Sequence, residues 1–312
     1  MFGECRQRIA YGQIGVDLVS GGFVSHQTAK DTPMSDILVV GFISIDFIGH
    51  VDTLPTLDLA AKAGEFDVAC GGRAANQAMA LTAVEGDVAL VARIGQDQHA
   101  ELLTDELLEL GVGSDFIQHA PDNTGLRLIA ELPDGKQSVV IYRGANDYLS
   151  VDDLNRRADA FAVAKAVGIS TEPMGAVVLR GLELARQAGA RSVLTYHPGL
   201  PISDRVLTAA DVVVVSDATC AGLLDPEIAQ RQPEHAARAL VQRGAAAVVL
   251  LSGRRAVLAT AEDVRGLDAP GDLAREDAVD AFVAGLLQGL ALGESVEQAV
   301  MRGVRVSCLL ID

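Results

Sequence analysis

Three groups of residues in this chain have types and spacings suited to handling a small polar molecule. The first is Asp46, which follows the apolar run Ile37-Leu38-Val39-Val40 through Gly41-Phe42-Ile43-Ser44-Ile45. A carboxylate at a strand end accepts two hydrogen bonds from neighbouring hydroxyls, the pattern a sugar offers, although Asp serves ordinary turns as readily. The second is Cys70-Gly71-Gly72-Arg73-Ala74-Ala75-Asn76-Gln77. Its paired glycines let backbone approach a ligand and lead into an Ala-rich helix with free N–H groups at its start. The spacing is not that of the GxGxxG dinucleotide turn. The third is Glu276-Asp277-Ala278-Val279-Asp280, where three carboxylates open an apolar helix. Acidic residues satisfy a helix N-terminus, and three together would also serve a bridging divalent metal; spacing alone does not decide between these.

These groups are positioned by alternating strands and helices. Apolar runs predict strands at 36–43, 87–93, 126–132, 137–143, 165–170, 191–195, 211–215 and 246–251. Helical periodicity predicts helices at 74–84, 98–110, 151–159, 175–188, 203–209, 234–243, 278–291 and 295–308. Near-continuous strands such as Val212-Val213-Val214-Val215 indicate a mostly parallel sheet buried on both faces, an α/β doubly wound fold flanked by helices. Two stretches break the rhythm, about 47–70 and 124–146. The second contains a Pro133-Asp134-Gly135 turn between alternating strands, and the pair predicts a small antiparallel β lid. In open parallel sheets ligands bind beyond the carboxyl ends of the strands, where the three groups fall. Residues 1–33 carry scattered glycines and no apolar core of signal-peptide length, so they read as a flexible N-terminal extension ahead of one domain at 34–312, or as a start placed too far upstream at Met1 rather than Met34.

Composition narrows the classes. With 49% hydrophobic and 21% charged residues over 312 positions, the chain has enough apolar content for a sizeable core. A net charge of −17 supplies no basic footprint for nucleic acid, and no long uncharged apolar run suggests a membrane span. Cys5, Cys70, Cys220 and Cys308 are far apart and form no CxxC pair, as expected of reduced thiols in a cytoplasmic protein.

The run Gly71 to Asn76, followed by Val88-Ala89-Leu90-Val91-Ala92-Arg93-Ile94-Gly95-Gln96-Asp97, resembles the first signature of the ribokinase (PfkB) family of carbohydrate and nucleoside kinases. Thr124-Gly125 and Tyr142-Arg143-Gly144-Ala145-Asn146 look like that family's lid strand and its exit, and Asp280 to Leu287 resembles its second signature. The resemblance runs from about Met34 to the C terminus. It implies a ribokinase-like fold and phosphoryl transfer from ATP, with Mg2+, to a hydroxymethyl group of a sugar or nucleoside. In that family the residues matching Asp46, Gly71, Gly72 and Asn76 bind the sugar, and the aspartate matching Asp280 is the general base. Arg73 stands where lysine is common, which keeps the charge and changes the hydrogen-bond geometry. Some relatives dimerise through the lid, so a homodimer is an expectation of the same kind.

The donor half departs from the pattern. The family's Gly-Ala-Gly-Asp anion hole reads Asp277-Ala278-Val279-Asp280, and its Asn-x-x-Glu becomes Ser216 to Thr219. The later nucleotide turn appears as Leu250-Leu251-Ser252-Gly253-Arg254-Arg255, leaving Ser252 and Gly253 as candidate nucleotide contacts. The chain also stops at Asp312, short of the segment that typically completes the adenine pocket. Two main readings stay open: a sugar or nucleoside kinase with activity weakened or lost, and a pseudokinase that binds a sugar- or nucleoside-like ligand without ATP-dependent catalysis. Metal-assisted chemistry in the same pocket is a third. His197, after a strand at Tyr196, and Glu172, in Ser170-Thr171-Glu172-Pro173, are secondary candidates at the crevice edge.

Overall fold

The computed structural model describes residues 35–311 other than 174, 198–201, 226–227 and 229–231; the expected N-terminal extension lies outside the described residues. Thirteen strands are present among them: β1 Ile37–Val40, β2 Ser44–Val51, β3 Ala63–Gly71, β4 Val88–Ile94, β5 Ile117–His119, β6 Leu126–Glu131, β7 Gln137–Tyr142, β8 Ala166–Ser170, β9 Arg191–Thr195, β10 Val212–Ser216, β11 Ala247–Ser252, β12 Arg255–Thr260 and β13 Val264–Asp268. Nine form one sheet in the order β13-β12-β11-β10-β9-β8-β1-β4-β5. Pairing from β11 to β5 is parallel, and β12 and β13 add antiparallel at one edge.

Side-chain alternation explains why this sheet is covered on both faces. Ile37 and Val39 pack into one apolar cluster with Phe282 and Leu286, while Leu38 and Val40 pack into the other with Phe161 and Leu182. Two-faced burial removes the alternating pattern from the strands and leaves the continuous Val/Ile/Leu runs seen in the sequence. Strand order reverses at β1, whose neighbours are β4 on one side and β8 on the other. Such a reversal opens a crevice at the carboxyl ends of the two central strands.

The lid is a second, four-stranded sheet in the order β3-β2-β6-β7. Its two hairpins are antiparallel, and β2 pairs parallel with β6 where they join. Hydrogen bonds gather its roots at one place. Asn146 accepts from the Ile43 N–H at 3.0 Å and donates to the carbonyls of Ile43 at 2.7 Å and Arg143 at 3.0 Å. The Ile45 N–H reaches the Gly125 carbonyl at 2.9 Å, the Ala145 N–H the Asn123 carbonyl at 2.7 Å, and the Ala74 N–H the Phe42 carbonyl at 3.2 Å.

Two differences from the sequence expectation bear on the site. The helix expected from 278 begins at Glu276, because Arg275 is extended (φ −63, ψ 147) and Glu276 and Asp277 fill the first turn, where carboxylates suit the dipole. The stretch after Ser252 turns at Gly253 and pairs back as β12, so Arg254 and Arg255 belong to a hairpin.

Candidate active site

Asp46 lies on β2 just beyond the reversal point, and the Arg73–Ala83 and Glu276–Ala291 helices aim their N-termini at the same crevice. A cavity of about 260 Å3 there is walled by Asp46, Asn76, Arg127, Glu276, Asp277 and Asp280, with Ile48, Ile129 and Gln137 of the lid above. A second space of about 160 Å3 adjoins it. Gly72, Arg73, Glu172 and His197 line that space, which shares Arg127 and Glu276 with the first. Asp46, Asn76 and Asp280 thus share one cavity, and the carboxylates of Glu172 and Glu276 share theirs with His197.

Asp280 is the most constrained of these groups. Its Oδ1 accepts from Arg73 Nη1 at 2.8 Å and Gln77 Nε2 at 3.0 Å, and its Oδ2 from Asn76 Nδ2 at 3.4 Å. Burial pushes its carboxyl up to about 6 against the opposing pull of Arg73. A carboxyl poised there is a base near neutrality, ionised for most molecules at pH 7 yet still basic enough to take a proton. Asp46 is held by Ser44 Oγ at 2.7 Å and Arg127 Nη1 at 3.3 Å, and burial raises its carboxyl as well. Gln77, Ser44 and Arg127 were not singled out in the sequence. Of these, only Gln77 had a signal, one position past Asn76 on the helix that follows the glycines.

The two glycines do different work. A Cβ at Gly71 would fall inside the Asp46 carboxylate. At Gly72, φ is +86, and a Cβ would stand 2.6 Å from the Phe42 carbonyl oxygen and 2.7 Å from Ile43 Cα. We therefore expect Gly71→Ala to fold and to weaken acceptor binding at least tenfold, about 1.4 kcal/mol. Gly72→Ala should instead lower stability by on the order of 3 kcal/mol, through strain and a backbone clash that cannot relax. Thermal melts read beside ligand titrations separate the two outcomes.

The donor side is occupied by the chain's own groups. The Ala278 N–H donates to Asp277 Oδ1 at 2.8 Å, and the Val279 N–H to the Arg275 carbonyl at 2.9 Å. Asp277 pairs with Arg275 at 2.8 Å. The sequence argument that valine resists an unusual backbone at 279 meets a different geometry, because Val279 is an ordinary helical residue packed into the core. Its obstruction is a committed amide. Ser216 and Thr219 form a reciprocal cap on the short Asp217–Cys220 helix, with the Ser216 N–H reaching Thr219 Oγ1 at 2.9 Å. Ser252 and Gly253 line neither space, and Ala278 and Val279, which line neither as well, sit in the turn directly before Asp280 on its own helix. Nor do the three carboxylates of 276–280 converge on a metal. Glu276 faces Arg73 and Arg127, Asp277 faces Arg275, and Asp280 faces Arg73; no metal-holding group of this kind exists among the described residues. The residues therefore fit a polyhydroxyl acceptor, and fit the terminal phosphate of ATP poorly. Among the described residues, no helix is long and apolar enough to cross a membrane.

Comparison with known proteins gives the family of the chain. A family model described as pfkB family carbohydrate kinase matches residues 34–312. A deoxyribokinase from Salmonella typhi is 24% identical over 281 residues, covering 86% of this chain and 90% of the relative. The ribokinase of Bacillus subtilis is 24% identical, covering 89% and 93%. Among solved structures, a ribokinase from Thermotoga maritima superposes with a TM-score of 0.77 at 21% identity, covering 89% of this chain and 94% of that one. The Arabidopsis thaliana ribokinase complexed with ribose and ATP gives 0.71 at 21% identity, covering 88% and 91%.

Proposed function

We propose that this chain, which belongs to the pfkB family of carbohydrate kinases, takes a sugar or nucleoside as acceptor and activates its hydroxymethyl group for phosphorylation, with a donor side that makes the reaction slow. One observation supports this above the others. The carboxylate suited to gripping hydroxyls, Asp46, and the carboxylate suited to removing a proton, Asp280, face one cavity together with the Asn76 amide. In this reading Asp46 accepts hydrogen bonds from a pair of hydroxyls, Asn76 orients the acceptor, and Asp280 Oδ2, the oxygen with only the long 3.4 Å contact, takes the hydroxymethyl proton. Lid residues Ile48, Ile129 and Gln137 exclude water above it. Nucleotide and Mg2+ would meet the helix start at 277–279, where the amides of Ala278 and Val279 are already committed, and no donor step is derived there.

The Asp277 to Ala278 contact favours a second reading, that of a pseudokinase retaining only the acceptor pocket. Calorimetry separates the two. The kinase reading expects ATP with magnesium to bind, weakly but measurably, near the millimolar scale (about 4 kcal/mol). The absence of heat at that concentration, together with thermal stabilisation by sugars alone, supports the pseudokinase. A sugar at one hundred times its dissociation constant should add about 2.7 kcal/mol of stability in either case. Micromolar ATP affinity would sink both claims about the donor side.

Association through the lid belongs to the same proposal. The lid face turned away from the cavity carries Phe66, Val68, Leu128 and Val140, all exposed, where a solvated sheet face would be polar. A second copy of the same face covers such a surface with matching apolar side chains. Sedimentation of the full chain should accordingly report a dimer, and a monomer at micromolar concentration contradicts it.

A further inference from the structure

Arg127 is the least expected group in the cavity. It leaves β6 opposite Asp46, on the face it shares with Ile129, Glu131 and the neighbouring Ile141, and its side chain is only 14% exposed. A guanidinium is not needed to bind neutral hydroxyls, which a carboxylate and an amide already serve, and burying one is costly without a good anionic partner. Arg127 nevertheless has poor partners. Its contacts to Asp46 and Glu276 are single and long, 3.3 Å each, far from the paired short bonds that guanidinium and carboxylate make when they match.

Arg73, on the base of the crevice, is similarly under-used. Its Nη1 holds Asp280, its Nη2 reaches Glu276 only at 3.5 Å, and its Nε is buried with no protein partner. The carboxylate between the two arginines, Glu276, sits in the first turn of a helix with its side chain 47% exposed. Burial alone would raise its carboxyl, yet Arg127 and Arg73 hold it below its ordinary value, so it stays an anion. It also belongs to the walls of both spaces, and with Arg127 it forms the partition between them.

We infer that Arg127 and Arg73 form a clamp for a carboxylate or phosphate group carried by the acceptor sugar, and that Glu276 holds that place while the acceptor is absent. An arriving anion offers Arg127, and Arg73 through its Nη2, the paired, charge-assisted bonds they lack, while Glu276 rotates toward solvent. A neutral sugar that displaced Glu276 would instead leave Arg127 with only its long contact to Asp46 and Arg73 with only Asp280. Moving Glu276 out of the partition opens a passage past Arg127 between the two spaces, giving room for a substituent beyond the hydroxyls gripped by Asp46. The inference rests on the carbohydrate-kinase reading and names the class of acceptor within it.

The test is calorimetry on the full chain without nucleotide, using three matched pairs: ribonate with ribose, gluconate with glucose, and fructose 6-phosphate with fructose. Inorganic phosphate serves as a bare anion. At least one charged member should bind ten or more times tighter than its neutral partner, and which pairs respond tells carboxylate from phosphate. Arg127→Ala should erase that preference, with Arg127→Gln as the near-isosteric check should the first variant fold badly. Glu276→Gln should tighten the charged ligand by removing its competitor. Equal binding within every pair, a preference that survives loss of Arg127, or inorganic phosphate binding as tightly as the charged sugars overturns the clamp. If neutral sugars bind best and release ADP from ATP, the clamp falls and the kinase reading stands. If charged sugars bind through Arg127 but never promote ADP release, the clamp stands and the kinase reading falls. Binding of none of the six sugars overturns both.

Discussion

Replacing Asp280 with asparagine should lower sugar-dependent ADP release by about 10³-fold while leaving acceptor affinity within a small factor, because the change removes a base and little of the grip. The amide keeps an oxygen for Arg73 and Gln77, whose bonds at 2.8 and 3.0 Å converge on Oδ1. The pH profile gives an independent check. The reactive form is the carboxylate, and burial sets its carboxyl at about 6, so activity should climb as pH rises through that value and level off above it. Stability should respond in the opposite sense. The folded-state value lies above the ordinary 3.8, so the folded protein binds the extra proton between about 4 and 6. The contribution of this group is therefore full below about 4 and is lost as pH rises through 6. A rate limb near 6 that persists in Asp280→Asn would assign the titration elsewhere.

The second large effect is a gain. Asp277→Gly removes the carboxylate that takes the Ala278 N–H, frees that amide for an incoming phosphate, and deletes a negative charge beside Asp280. One amide donor at a developing anion typically contributes 10²–10³ in rate. We expect turnover with ATP to rise by up to about 10²-fold, since Val279 remains committed to Arg275. The same change should cost on the order of 1–2 kcal/mol of stability, from glycine in a helix and the loss of a favourable first-turn carboxylate. Val279→Gly is the poorer variant, because that side chain is packed in the core and its removal leaves a cavity. Steady-state rates with and without Asp277→Gly decide the matter; unchanged turnover would show that this contact is not what limits the donor side.

The parallel sheet was legible because burial on both faces of β1 and β10 writes itself as unbroken apolar sequence. The bounds of β3, inside the stretch 47–70 expected to form the lid, and the existence of β13 were not, because both expose much of their length and carry charges, as in Glu65 and Arg265. Strand β12 is buried from Ala256 to Ala259 but is short and follows directly on the charged Arg254-Arg255 turn. Asp46 could be named from its place at a strand end, and Asn76 and Asp280 from the resemblance to the family's two signatures. Arg127 could not. Its meaning comes from Glu276, 149 positions away, and from a register that sets it across from Asp46. Likewise the acidic run at 276–280 looks like one cluster in sequence, whereas in space Glu276 and Asp280, one turn apart on the same face, share Arg73, and Asp277 turns away to Arg275.

The knot around Asn146 has a mechanical consequence. Because the strands of the lid are rooted at 42–45, 123–125 and 143–146, any opening tilts the whole sheet as a plate about one pivot. Displacement then grows with distance from that pivot. Asp46, one residue past the knot, stays almost still, while the Gly135 tip at the far rim of the cavity sweeps widest. If the cavity takes the acceptor proposed above, the Gly135–Gln137 edge is where it would enter, and a molecule gripped by Asp46 would be kept in register while that edge swings.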